Sequence, residues 1–151
     1  MSHPTKASKL LKERGDWAFL LLCIAGAALR FYNLGVESIW WDEGFSIWVA
    51  RMGFLRMLKT VAAIDFNPPL YYALLWAWIH LFGDSEAAAR SISALFGVLS
   101  IAALYFLGRR MFDKKTGLLA ALFLSISAFQ IYYAQEARAF TLELFLAILS
   151  F

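Results

Sequence analysis

The chain has 151 residues, 62% of them hydrophobic and 17% charged, with a net charge of +3. Such a composition excludes an ordinary soluble domain, and the small charge argues against electrostatic capture of nucleic acid. The single cysteine, Cys23, excludes an internal disulfide and argues against a cysteine metal centre.

Long apolar runs predict an all-α polytopic membrane protein. Residues 1–16 read as a basic, irregular tail on the cytoplasmic side. Residues 17–34 form the first expected span, with Trp17 at one interface and Phe31 and Tyr32 at the other. No small-x-small cleavage pattern precedes Arg30, so this run is an uncleaved helix rather than a signal peptide. Arg30, near its end, is expected to snorkel into headgroups.

Residues 35–90 read as an exterior loop carrying two surface helices. Over 42–60, Phe45, Trp48, Val49, Met52 and Leu55 form an apolar stripe opposite Ser46, Gly53, Arg56 and Thr60. That is the pattern of an amphipathic helix lying along a membrane. Asp42 falls at or beside its N-cap and Glu43 in its first turn. The second helix, 68–82, has Asn67 as a cap, Pro68 in the first helical position and Gly83 as terminator. Its apolar part rises about 20 Å at about 1.5 Å per residue, short of a hydrocarbon core about 30 Å thick.

Further spans are expected at 91–108 and 117–134, and another starts at 139 and runs into the end at Phe151. Ending inside "FTLELFLAILSF", the chain reads as the front portion of a longer protein, inactive by itself. Between the middle spans, "RRMFDKKT" holds four basic residues in eight. The positive-inside rule puts that loop in the cytoplasm if 68–82 does not cross. Asp42, Glu43, Asp65 and Glu136 then share the exterior side.

Three stretches could carry chemistry. In "WWDEGFS", Asp42 and Glu43 could simply offset a helix dipole. Alternatively, tryptophan packing raises a carboxylate's pKa and suits it to proton abstraction. In "IDFNPPLYY", Asp65 is a loop aspartate facing water, or it meets Asp42 to hold a divalent metal. In "YYAQEARAF", Glu136 and Arg138 close one helix and open another, or Arg138 offers its forked donors to a phosphate. Arg90 is a weaker phosphate candidate that could equally snorkel. His3 and His80 point to no metal site, and nucleotide-binding glycine loops are absent.

Read in order, "RFYNLG", "SIWWDEGFSI", "DFNPPLYYALL", "LFGDSEAAAR" and "IYYAQEARAF" give the chain its resemblance to GT-C glycosyltransferases. It is most similar to the protein O-mannosyltransferase and aminoarabinose transferase group, which includes many bacterial mannosyltransferase-like proteins. The resemblance covers residues 30 to 143. It implies an inverting transfer of a sugar from a polyprenyl-phosphate carrier to an acceptor protein, lipid or glycan. It places the reaction on the exterior face of an integral membrane protein, here the bacterial inner membrane. Carried over, Asp42 is the general base or acceptor-orienting carboxylate and Glu43 its neighbour. Asp65, Glu136, Arg138 and Arg90 are substrate-binding candidates, and Asp42 and Asp65 the candidates for any metal. At Glu136 the chain departs from relatives that carry an aspartate.

Two rivals come from other classes. A transporter or flippase for a lipid-linked or ionic substrate would use the same carboxylates for proton coupling. A non-catalytic subunit would only bind lipid carriers. Nearly all acids here fall in loops or at helix ends, Glu143 excepted, which favours an enzyme at the membrane boundary over mid-membrane coupling.

Overall fold

Helix α1 (Lys6–Phe31) begins further back than the apolar run requires and takes in residues expected to form an irregular tail. The computed structural model describes residues 6–65 and 67–151, so the first five residues of that tail lie outside the described ones. All elements among the described residues are helices. α1 turns Leu21 and Ile24 outward, while Phe19, Leu22 and Cys23 pack against Ile101, Tyr105 and Ala121. It ends in a turn where Asn33 takes a left-handed φ of 57°, a conformation asparagine tolerates better than most residues.

The expected helix over 42–60 is two helices, α2 (Trp41–Ala50) and α3 (Phe54–Ile64). Gly53 adopts an extended conformation and its carbonyl starts α3 by accepting the Met57 N–H. The N-cap of α2 is Trp40, not Asp42, and no side chain caps it; Asp42 and Glu43 lie in the first turn. The stripe is also broader than the pattern predicts. Ile47 and Ala50 join one apolar cluster with Tyr71, Leu75 and Ile79, while Val49 joins another with Met57, Val61 and Tyr72. Wedged between two clusters, α2 buries even Ser46, which the helical pattern put on the polar face.

Helix α4 (Pro69–Phe82) carries the double proline one position later than expected: Pro68 is the N-cap and Pro69 the first helical residue. Asn67 instead donates to Asp65. Gly83 ends the helix as expected, with φ 86°. The indole N–H of Trp76 donates to the Met52 carbonyl at 2.9 Å, satisfying an acceptor exposed by the break between α2 and α3.

Helix α5 (Glu86–Met111) starts at a Ser85 cap and ends on Arg109 and Arg110, which complement its dipole. It is the central strut, packed against α1, α6 (Lys114–Ile126) and α8 (Phe140–Leu149). Gly108 and Gly117 let α5 and α6 approach closely: a Cβ on Gly117 would stand 2.6 Å from the Tyr105 carbonyl oxygen. The straight span expected over 117–134 is instead α6 and α7 (Ala128–Ala134), bent by 61° at Ser127. Among the described residues one helix, α5, is long and apolar enough to cross a membrane, or two if α6 and α7 count as one bent span. The apolar parts of α1, α4 and α8 are shorter.

Candidate active site

The acid pair divides its labour. Glu43 points inward, and both of its oxygens meet the guanidinium of Arg90: Nε to Oε1 at 2.8 Å and Nη2 to Oε2 at 2.7 Å. The remaining Arg90 donors reach the carbonyls of Leu34, Glu37 and Ser38, so all five N–H groups are engaged. Oε1 of Glu43 also accepts the main-chain N–H of Ala137 at 2.8 Å. The pair is buried, with side-chain exposures of 5% for Arg90 and 1% for Glu43. One carboxylate thus joins α2, α5, the 34–38 turn and the segment after α7. Leaving either charge buried without the other would cost about 3–5 kcal/mol.

Asp42 points the other way. Its side chain is 45% exposed, and its Oδ2 lies 3.8 Å from Nη2 of Arg138. Its carbonyl accepts the Ser46 hydroxyl at 3.1 Å, which fixes the first turn of α2. Arg138 is positioned from three sides. Its N–H donates to the Glu136 carbonyl, its own carbonyl accepts the Ser93 hydroxyl at 3.1 Å, and its guanidinium lies 5.9 Å from the Phe140 ring centroid. Ser93 is held in turn by the Tyr71 hydroxyl at 2.8 Å.

Asp65 stands at the C-terminus of α3 and serves the turn into α4. Its Oδ1 accepts the Asn67 main-chain N–H and side-chain amide, and its Oδ2 accepts the Tyr72 hydroxyl. Tyr72 also lies against Ser46, so Asp65 connects to the first turn of α2 through two side chains. Among the described residues no group of three or more His, Cys, Asp or Glu side chains converges to hold a metal ion. Asp42 lies beside a guanidinium, and both Asp65 oxygens accept hydrogen bonds.

Glu136 is buried beside Tyr132, and its Oε2 has no hydrogen-bond partner among the described residues. Burial pushes its carboxyl above the usual range, the nearby Glu43 and Asp42 charges add to that, and Tyr132 and Arg138 oppose it. It lines a cavity of about 360 Å³ with Ser38, Trp40, Glu43, Tyr132 and Gln135. A second, apolar hollow of about 510 Å³ is formed by Ile39, Trp40, Trp41, Gly44, Phe45 and Trp48. Asp42 therefore sits in a helix turn whose neighbours wall a polar cavity and an apolar one.

The structure brings together Asp42 and Arg138, and separately Glu43 and Arg90; Asp65 connects to the first turn of α2 through Tyr72 and Ser46. Sequence reasoning missed the supporting residues Tyr72 and Ser93, and placed Gln135 only in the polar cluster with Glu136 and Arg138. Nothing local in the sequence distinguishes them, because their partners lie 7, 45 and more than 100 residues away.

Comparison with known proteins gives the arrangement a family. An uncharacterized protein of Aquifex aeolicus (strain VF5) is 35% identical over 130 residues, which cover 79% of this chain and 25% of that protein. The chain thus spans about a quarter of the length of this curated relative. No solved structure matches it. Residues 67–151, more than half of the chain, match the family described as dolichyl-phosphate-mannose-protein mannosyltransferase. That stretch holds Arg90, Glu136 and Arg138, and with it the chain belongs to the dolichyl-phosphate-mannose-protein mannosyltransferase family.

Proposed function

We propose that this chain carries the reacting end of a membrane glycosyltransferase that moves a sugar from a polyprenyl-phosphate carrier to an acceptor hydroxyl on the exterior face. The observation that carries the reading is the Asp42–Arg138 pair: a half-exposed carboxylate and a guanidinium 3.8 Å apart, supplied by segments almost a hundred residues apart in sequence. Family membership supports sugar transfer. The apolar hollow beside Asp42 is suited to prenyl units, and the polar cavity to hydroxyl-bearing groups. α2, α3 and α4 then lie at the membrane surface, α5 and the bent α6–α7 pair within it, and the N-terminus is cytoplasmic.

In this reading Arg138 turns to the donor phosphate, a role for which its forked geometry is suited. That movement frees Asp42. The acceptor oxygen attacks the anomeric carbon from the face opposite the phosphate, and its proton passes to the Asp42 carboxylate. The bond from the anomeric carbon to the phosphate oxygen breaks, and polyprenyl phosphate leaves with the electron pair, its negative charge stabilised by Arg138. One inversion results. Glu43 and Arg90 act as positioning residues, since their polar atoms are committed to each other and to the main chain. Glu136, which lines the polar cavity, accepts a substrate hydroxyl. Asp65 orders the entry to α4 and, through Tyr72, the Ser46 side of the site.

The test is transfer of labelled sugar from a polyprenyl-phosphate donor by the intact protein and by Asp42→Asn. Transfer by the parent alone supports the reading; equal transfer by both removes Asp42 from it. Ion or lipid translocation without transfer would favour a transporter instead.

A further inference from the structure

Arg30 was expected at the headgroups, yet its side chain is fully buried and turned away from them. Its Nη2 donates to the Leu124 carbonyl at 2.9 Å, and its Nη1 to the Ser125 carbonyl at 3.1 Å and the Gly26 carbonyl at 3.2 Å. Leu124 and Ser125 belong to the last turn of α6, just before the 61° bend at Ser127. A helix that stops inside a packed, apolar region leaves its final carbonyls without partners, and where no water reaches them each would cost several kcal/mol. The Ser127 hydroxyl caps the other side of the bend, accepting the Gln130 N–H of the next helix at 3.4 Å.

The surroundings leave room for this side chain, although its Nε has no hydrogen-bond partner among the described residues. On α5, a Cβ added to Gly97 would stand 2.8 Å from Nε and 2.9 Å from Cδ of Arg30. The far end of α7 returns to the same turn of α1: the Gln135 amide donates to the carbonyls of Leu29 at 3.2 Å and Tyr32 at 2.8 Å. The last turn of α6 and the C-terminal end of the seven-residue α7 are therefore both tied to the last turn of α1 and the turn that follows it. Immediately beyond lie Ala137, whose N–H holds Glu43, and Arg138, which faces Asp42.

We infer that Arg30 is a positioning residue: it holds the break between α6 and α7 by filling the freed carbonyls, and so sets where Glu136 and Arg138 stand against the first turn of α2. The catalytic part of this role rests on the sugar-transfer reading, whereas the clamp on the break does not. A lipid-facing or headgroup-bound arginine would have no such effect on α7.

The experiment uses the intact protein with Cys23→Ser and a reporter, Ser125→Cys, a near-isosteric change at a buried position of the break. N-ethylmaleimide labelling is followed in the membrane-inserted protein with Arg30, Arg30→Gln, Arg30→Met and Arg30→Lys. With Arg30 the reporter should stay unlabelled. Arg30→Gln and Arg30→Met should speed labelling at least tenfold as water enters to satisfy the carbonyls, and Arg30→Lys should lie between. Per folded molecule, kcat for sugar transfer should fall at least tenfold in Arg30→Gln and be partly rescued in Arg30→Lys. If Arg30→Met does not accumulate, the shorter, uncharged glutamine variant decides. A reporter that stays protected in Arg30→Gln, or an unchanged kcat beside fast labelling, would overturn the positioning role. Fast labelling in a protein whose parent transfers no sugar leaves the clamp standing and defeats only the proposed function.

Discussion

Glu43 and Arg90 close a two-point fork, 2.8 and 2.7 Å, between the first turn of α2 and the first turns of α5. Its third contact, the Ala137 N–H at 2.8 Å, ties the segment bearing Arg138 to the same carboxylate oxygen that meets Arg90 Nε. Neighbouring carboxylates in sequence thus separate into one that is buried and ties segments together and one that is half exposed beside Arg138.

Removing one half of the fork should be far worse than removing both. Glu43→Gln or Arg90→Met is expected to lower stability by about 3–5 kcal/mol, with most of the loss recovered in an apolar double replacement. Thermal melting of the solubilised protein reads this, and single variants that melt like the parent would place the pair in water.

Asp42→Asn keeps the size of the side chain and sits at a half-exposed position. It should leave the melting temperature within a degree or two while reducing transfer by about 10²–10⁴-fold, the range of a lost general base. Arg138→Lys should be less severe, because a single ammonium keeps the charge but not the fork.

Glu136 gives a pH signature. Burial raises its carboxyl above the ordinary value of 4.5, so the folded protein binds a proton that the unfolded chain has released. Stability contributed by the protonated form is therefore present at low pH and falls as pH rises from 4.5 through the raised value. Glu136→Gln should flatten that slope and match or exceed the parent above the window. An unchanged slope in the melting curves would show that Glu136 is solvated.

Topology has its own test. In a Cys23→Ser background, a cysteine at 84 should label from outside intact cells and one at 115 should not. Asp84 pairs with Arg51 at the exposed surface, so the first change is mild. Outside labelling at 115 would put the α5–α6 hairpin and the acid pair on opposite faces from those proposed.

Gly117→Ala should cost about 1–3 kcal/mol, because its Cβ would press on the Tyr105 carbonyl oxygen at 2.6 Å and force α5 and α6 apart. Gly53→Ala, which meets nothing within 4 Å and has a negative φ, should be nearly neutral. Equal effects at the two sites would contradict the close α5–α6 crossing.

What could be read locally was read well where one residue decides it. Gly83 ends α4, and the apolar run 91–108 stands out from its flanks, although α5 itself begins earlier, at a Ser85 cap. Gly53 signalled a weak point but not a break, because the break depends on Trp76, 24 residues away, taking up the freed Met52 carbonyl. The bend at Ser127 had no proline or glycine to announce it, and its donor, Arg30, is 95 residues distant from Ser125. The same limit hid the difference between Asp42 and Glu43. Periodicity puts both in one turn, and only a partner on α5 tells them apart.

The fork also sets an order of assembly. Glu43 leaves the ribosome 47 residues before Arg90 and 94 before Ala137, an interval on the order of seconds at common synthesis rates. Throughout it the carboxylate has neither of those partners, so α2 cannot take its buried place until α5 has arrived. The fork is completed backwards, its carboxylate made first and joined last.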